Sequence, residues 1–125
     1  MIGKPSKFAF EDPTESSFNS LYKKYREGAE KRHLSFCLPK EMFAALTKNN
    51  CFYCGAAPAQ ELIKTGGRQP YIYNGVDRKD NNLGYTPDNS CSCCGDCNFL
   101  KGSRDFESFI KKIRIINDTT IGLTF

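Results

Sequence analysis

Residues 74–102 read NGVDRKDNNLGYTPDNSCSCCGDCNFLKG, and the Cys94-Gly-Asp-Cys97 near the end of that stretch has a counterpart in Cys51-Phe-Tyr-Cys54-Gly. Each C-x-x-C knuckle presents two thiolates from a tight turn, and two knuckles complete the tetrahedral sulfur set that structural zinc prefers. Cys91, Cys94 and Cys97 are also spaced by three and form a rival set. That rival leaves the first knuckle unexplained, so Cys51, Cys54, Cys94 and Cys97 are the expected ligands. Cys37, Cys91 and Cys93 then read as small buried residues. Four thiolates leave no open coordination position. The zinc is expected to be structural, its binding free energy helping to hold a small fold together.

Outward from this stretch, Tyr71-Ile72-Tyr73 opens a β-prone segment that ends at Val76-Asp77, and residues 55–70, rich in Gly and Pro, read as a connecting loop. Upstream, Phe18, Leu21, Tyr22 and Tyr25 recur at helical spacing, with Ser16 or Ser17 available as N-cap. A second helix is expected from Pro39 through Met42, Phe43 and Leu46 to a stop at Asn49-Asn50. Downstream, a short helix is expected near Asp96 to Lys101. A last one is expected near Asp105 to Ile116, where Phe106, Phe109, Ile110 and Ile113 form a face that should close the core. Residues 1–17 show no periodicity and read as an extended or poorly ordered lead-in.

A chain of 125 residues is one domain's worth, and ten Phe and six Tyr with 26% charged residues exclude a disordered tail, a collagen-like fibre or a coiled coil. No apolar run reaches the length of a membrane span, and MIGKPSKFAF lacks the features of a signal peptide, so a cytosolic location without membrane association is expected. In that setting seven cysteines point to metal ligation rather than to disulfides. The net charge of +4 is unevenly spread. Residues 18–34 hold five Lys or Arg against two acids and residues 101–125 five against three, whereas residues 71–100 hold two against four Asp. Basic arms flanking an acidic middle suit a cation site between phosphate-binding elements, and they equally suit solvated helix faces.

The order Asn74-Gly75-Val76-Asp77-Arg78, then Gly84-Tyr85-Thr86-Pro87-Asp88-Asn89, then Cys94-Gly-Asp-Cys97-Asn98-Phe-Leu-Lys101-Gly102 resembles the HNH endonucleases, more narrowly the small phage-type HNH proteins. The resemblance spans residues 18–116. It implies an α+β fold with a ββα-metal (His-Me finger/HNH) core, a four-cysteine zinc site and flanking helices. Within a single domain over 18–125, residues 18–50 would form a basic helical arm, 51–104 the knuckles and core, and 105–116 the C-terminal helix. Asp77 and Asn98 would share one Mg²⁺ or Mn²⁺, ions suited to oxygen ligands, which would stabilise the charge developing on a phosphodiester. Asn89 would order the loop between the two strands.

The common family pattern has His after the Asp, whereas this chain has Arg78. Arginine stays protonated and cannot be a general base. V-D-R-x-D-x-x-x-G-Y-[ST]-P resembles an HNH branch in which Arg follows the Asp and a tyrosine and a separate histidine stand beside the metal. Arg78 would then clamp the scissile phosphate. The tyrosine falls on Tyr53, with Tyr73 and Tyr85 as runners-up, and the histidine on His33, the single one in the chain. Lys101 and Arg104 would contact phosphates, and Lys23, Lys24, Arg26, Lys31 and Arg32 would form a DNA-binding arm. The expectation is a metal-dependent endonuclease nicking or cutting double-stranded DNA, a double-strand break requiring a homodimer or sequential nicks. Its rivals are a catalytically inactive DNA-binding zinc module and a zinc-ribbon interaction protein.

Overall fold

The computed structural model describes residues 12–124. Helix α1 runs from Glu15–Lys31 and puts Phe18, Leu21, Tyr22, Tyr25 and Ala29 on the inward face. It begins three residues earlier than its periodicity suggests, so the expected lead-in reaches too far: residues 15–17 are helical. Residues 1–11 of that lead-in lie outside the described residues. Thr14 occupies the N-cap without a side-chain bond. Ser17 is instead buried inside the helix, its hydroxyl donating to Gln69 O at 2.9 Å and accepting from Lys64 N at 3.1 Å. A residue typed for capping therefore fastens the 64–69 turn to α1.

Helix α2, Lys40–Lys48, follows with Pro39 at its N-cap rather than in its first turn. Phe43 on α2 is fully buried and is ringed by Phe18, Tyr22, Tyr25 and Phe36 at centroid distances of 5.9, 5.2, 5.2 and 6.3 Å. Edge-to-face pairs of this kind contribute about 0.5–1.5 kcal/mol each beyond area burial. This aromatic cluster is the principal core, with Leu38, Tyr71, Val76 and Tyr85 packed into it.

The segment expected as one strand over 71–77 is two. Strand β1 (Gln60–Leu62), inside the expected loop, pairs antiparallel with β2 (Tyr71–Tyr73). Strand β3 (Gly75–Arg78) pairs antiparallel with β4 (Ser90–Cys93), Asp77 lying opposite Cys91. The break is made by Asn74, which is buried and whose amide donates to Asn49 O and Ala56 O at 2.9 and 3.1 Å. A side chain that binds two carbonyls at the foot of α2 releases the backbone from one sheet into the other.

From β4 the chain turns at Cys94 into α3 (Gly95–Lys101), and then into α4 (Phe106–Thr120), capped by the Asp105 carboxylate on Ser108 N at 2.9 Å. α4 is longer than the expected 105–116 and does not close the core. Phe109 is its one buried residue, set edge-on to Tyr53 at 5.2 Å, while Ile113 and Ile116 are exposed. The first turn of α4 thus covers the first knuckle. No helix among the described residues is long and apolar enough to cross a membrane.

Candidate active site and metal centre

The two knuckles meet. One ligand atom from each of Cys51, Cys54, Cys94 and Cys97 lies within 4.8 Å of every other, and the Cys54 and Cys94 sulfurs are 3.7 Å apart. Four sulfurs at about 2.3 Å from a tetrahedral ion stand roughly 3.8 Å from one another, so this donor set fits zinc-like coordination. Local backbone explains the convergence. Gly55 takes φ +79° to turn the first knuckle, its N–H donating to Cys51 O at 2.9 Å, and the Cys94 sulfur accepts from Cys97 N at the start of α3. The rival set fails on placement: Cys91 is in β4, paired with Asp77, and is not among the clustered sulfurs. Burial pushes the Cys91 thiol up to about 11 and the Cys93 thiol higher still, as befits inert packed thiols.

Beside the cluster, the β3–β4 pair and α3 frame a cleft of about 270 Å³ lined by Asp77, Arg78, Asn81, Asn98, Arg32 and Tyr85, together with Tyr25 and Gln60. Asp77 ends β3 as its penultimate residue, and Asn98 lies in the middle of α3. The Asp77 carboxylate is nearly enclosed. Its Oδ2 accepts from the Tyr53 hydroxyl at 2.7 Å and stands 3.2 Å from Lys101 Nζ, whereas Oδ1 has only a longer 3.4 Å contact with that ammonium. Oδ1 is the oxygen with a lone pair to offer, and the Asn98 amide, exposed at the cleft, has no side-chain partner among the described residues. Both side chains thus present oxygen donors to the same cleft, the donor type a hard divalent cation takes.

Lys101 differs from its expected place at a phosphate. It is 1% exposed, and its ammonium is spent on Asp77 and on Arg78 O at 3.1 Å. The one-turn spacing from Asn98 to Lys101 sends both side chains of α3 toward β3, and a lysine stem can lie along apolar surface only if its head finds a charge. Tyr53 likewise stands behind Asp77 rather than in the cleft lining. Burial and then the hydrogen bond to the Asp77 carboxylate push its phenol strongly upward, so it holds its proton and acts as a donor.

Arg78 lines the cleft with one nitrogen already committed: Nη1 donates to Asn81 O at 2.6 Å and Leu83 O at 2.9 Å. The loop it grips is also held by Asn89, whose amide donates to Asp80 O and Gly84 O at 3.1 and 2.9 Å and whose Oδ1 accepts from Asp80 N at 2.9 Å. At Gly84 this loop passes so close to the Ser35 backbone that a Cβ would collide with it. Tyr85 then pairs with the 35–37 segment, its N–H on Ser35 O at 2.9 Å and its carbonyl accepting from Cys37 N at 2.7 Å.

His33 is exposed and is not among the cleft-lining residues; its neighbour Arg32 is. His33 has φ +58° at the end of α1, where Leu34 N reaches Ala29 O at 2.8 Å and His33 N reaches Glu30 O at 3.0 Å. This is the left-handed helix stop at which glycine is usual. Of the basic arm, Lys24 and Lys31 are exposed, Lys23 stands 3.9 Å from Glu27, and Arg26 lies over the Tyr22 ring. Arg104 is exposed just beyond α3. Sequence reasoning missed Gln60, Tyr25 and Asn81 as cleft residues. Only tertiary packing brings them there, and no spacing signal marks them.

No protein-family model matches the chain. An uncharacterized protein of Acanthamoeba polyphaga mimivirus is 34% identical over 89 residues, which cover 71% of this chain but only 15% of that protein's length. Among solved structures, the rare-cutting HNH restriction endonuclease PacI, described for its mechanism of DNA perturbation, superposes with a TM-score of 0.58 at 22% identity, over 84% of this chain and 80% of that one. The likeness is one of fold, that of a small mixed α+β domain, and this chain's own four clustered cysteines are able to hold a metal.

Proposed function

We propose that the chain is a metal-dependent HNH endonuclease that hydrolyses phosphodiester bonds in double-stranded DNA, built on a ββα-metal core of β3, β4 and α3. The observation that carries this reading is the cleft itself, lined by a carboxylate whose Oδ1 has only a long 3.4 Å contact, a carboxamide with no side-chain partner among the described residues, and two guanidinium groups. Zinc on Cys51, Cys54, Cys94 and Cys97 fixes the start of α3 against the first knuckle. Asp77 and Asn98 hold Mg²⁺ or Mn²⁺, which supplies Lewis-acid stabilisation of phosphate charge.

The chain's own residues do the rest. Tyr53 and Lys101 fix the Asp77 carboxylate from behind, so that Oδ1 is presented in one orientation. Arg78 keeps its guanidinium at the cleft by anchoring Nη1 to the loop that Asn89 orders, and offers its remaining donors to a phosphate. His33, next to Arg32 at the end of α1, supplies the chain's one imidazole for proton transfer. Lys23, Lys24, Arg26, Lys31 and Arg104 add phosphate contacts outside the cleft, making binding salt-sensitive. One site per chain cuts one strand, so two copies or two successive nicks yield a double-strand break.

A DNA-binding module without catalysis is the second reading, favoured by the Lys101 ammonium already paired with Asp77. Supercoiled plasmid incubated with purified protein and Mg²⁺ or Mn²⁺ separates the two. Nicked or linear product that disappears with EDTA and with Asp77→Ala supports the nuclease. Salt-sensitive binding with no conversion on varied DNA supports the module.

A further inference from the structure

Two arginines far apart in sequence share one aromatic ring at the cleft. Arg32 Cζ lies over the Tyr85 ring at 5.9 Å from its centroid and Arg78 Cζ at 5.6 Å. Arg32 Nη2 also donates to the Tyr85 hydroxyl at 3.2 Å, and its Nε to Gly28 O at 3.1 Å. Tyr85 is 6% exposed and is fixed by its backbone bonds to the 35–37 segment and by ring contacts with Tyr25 and Phe36. Neither guanidinium has a carboxylate within ion-pair distance among the described residues.

Two like charges held at one ring without a counter-charge repel each other, and the ring quadrupole offsets only part of that cost. The arrangement becomes favourable when an anion enters. Among the described residues Arg32 hydrogen-bonds only through Nε and Nη2 and Arg78 only through Nη1, so Arg32 Nη1 and Arg78 Nη2 and Nε remain to be offered. Planar guanidinium forks match phosphate oxygens in two-point contacts.

We propose that Arg32 and Arg78 form a single phosphate clamp organised by Tyr85, with Arg32 a catalytic residue at the reacting phosphodiester and Tyr85 a positioning residue that sets both forks. This rests on the nuclease reading and reassigns Arg32 from the general DNA-binding arm to the reacting group. An arm residue contributes to duplex affinity alone, whereas a clamp that tightens as charge develops contributes to turnover.

The test uses the full zinc-loaded chain and three variants, Arg32→Ala, Arg32→Lys and Tyr85→Phe, with two readouts. In plasmid cleavage Arg32→Ala is expected to lower kcat about 100-fold with little change in duplex affinity. Arg32→Lys is not expected to rescue it, because an ammonium lacks the fork. Tyr85→Phe, which keeps the ring but frees Arg32 from its hydroxyl, is expected to cost about tenfold. The second readout is the arginine Nε NMR signals during titration with inorganic phosphate. Signals of both Arg32 and Arg78 should move together in the native chain, and the Arg78 response should weaken in Arg32→Ala.

Wild-type turnover by Arg32→Ala, with Asp77→Ala inactive, overturns the clamp while leaving the nuclease standing; so does a loss confined to duplex affinity. If the native chain cuts no DNA, the nuclease reading has failed and the phosphate titration decides alone. Coupled shifts of the two arginines then sustain the clamp, and their absence overturns it.

Discussion

The two halves of the domain are held by opposite means. Under α1 and α2, Phe43 sits among four aromatic rings, and apolar packing predominates. Around β4 and α3 the buried residues are Cys51, Cys91, Cys93 and Cys97, the serines of β4 and Lys101, and the partly buried Tyr53 is the one large ring among the described residues packed on the cysteine cluster. A strand reading Ser-Cys-Ser-Cys buries too little apolar surface to hold a helix by itself. The first half is built on burial, whereas the second is arranged for cross-links: four sulfurs placed to hold an ion, and one enclosed ion pair. The cleft lies where the two halves meet, lined by Tyr25 and Tyr85 from the aromatic core and by Asp77 and Asn98 from the cross-linked side.

Removing the sulfur-bound ion is expected to have the largest effect. Structural zinc contributes about 10–16 kcal/mol of apparent binding free energy in small peptide sites, as much as the whole stability of a typical domain. Chelation or Cys94→Ser is therefore expected to lower the melting temperature sharply, with metal analysis falling from one zinc per chain to none. Cys93→Ser, one residue away but outside the sulfur cluster, should keep that stoichiometry. An unchanged melting temperature after chelation would show that the second half stands on packing after all.

On the aromatic side, Phe43→Ala is expected to cost about 3–5 kcal/mol, the range for emptying a fully buried phenylalanine site. Urea denaturation reads this as a lower midpoint with an unchanged slope. Zinc content should stay at one per chain, because Phe43 touches neither knuckle in the contacts described.

Lys101→Met sharpens the account of the second half at a smaller scale. Removing one member of a buried ion pair costs about 3–5 kcal/mol, and roughly 2–3 kcal/mol is expected here because the Asp77 side chain keeps 12% of its surface and its Tyr53 bond. The double variant Asp77→Asn with Lys101→Met should recover much of that loss, since no unpaired charge remains. Equal melting of native and single-variant protein would mean that the pair holds nothing in place.

What was legible in the sequence follows the same division. The knuckles could be read because metal spacing is a local constraint, and the faces of α1 and α2 because apolar periodicity is local too. Asp77, Asn98 and Asn89 were found through motif resemblance, and the structure gathers Asp77 and Asn98 at one cleft while Asn89 spans the adjoining loop. Lys101 was misplaced because lysine is nearly always solvent-exposed, and only the docking of α3 on β3 creates a buried partner for it. Asn74 read as strand because nothing in its neighbours reveals that two carbonyls of another segment await its amide. β1 is three residues long, too short for alternation to show. The role of Tyr85 between two arginines is set by chain segments some fifty residues apart.

The smallest expected effect concerns His33, where stability and function pull in opposite directions. At φ +58° a residue with a Cβ pays a conformational cost that glycine does not, so His33→Gly should stabilise the domain by about 0.5–1 kcal/mol if only the helix stop matters. For a domain of this size that is a rise of a few degrees in melting temperature. Strain kept at a position where a better residue exists is a mark of a functional demand. A variant that melts higher and cleaves plasmid poorly therefore assigns the imidazole to the reaction. A variant that melts higher and cleaves as well as the native chain makes His33 incidental and leaves proton transfer to another group. A melting temperature that falls instead would show that the His33 side chain contributes to the end of α1 more than its backbone conformation costs.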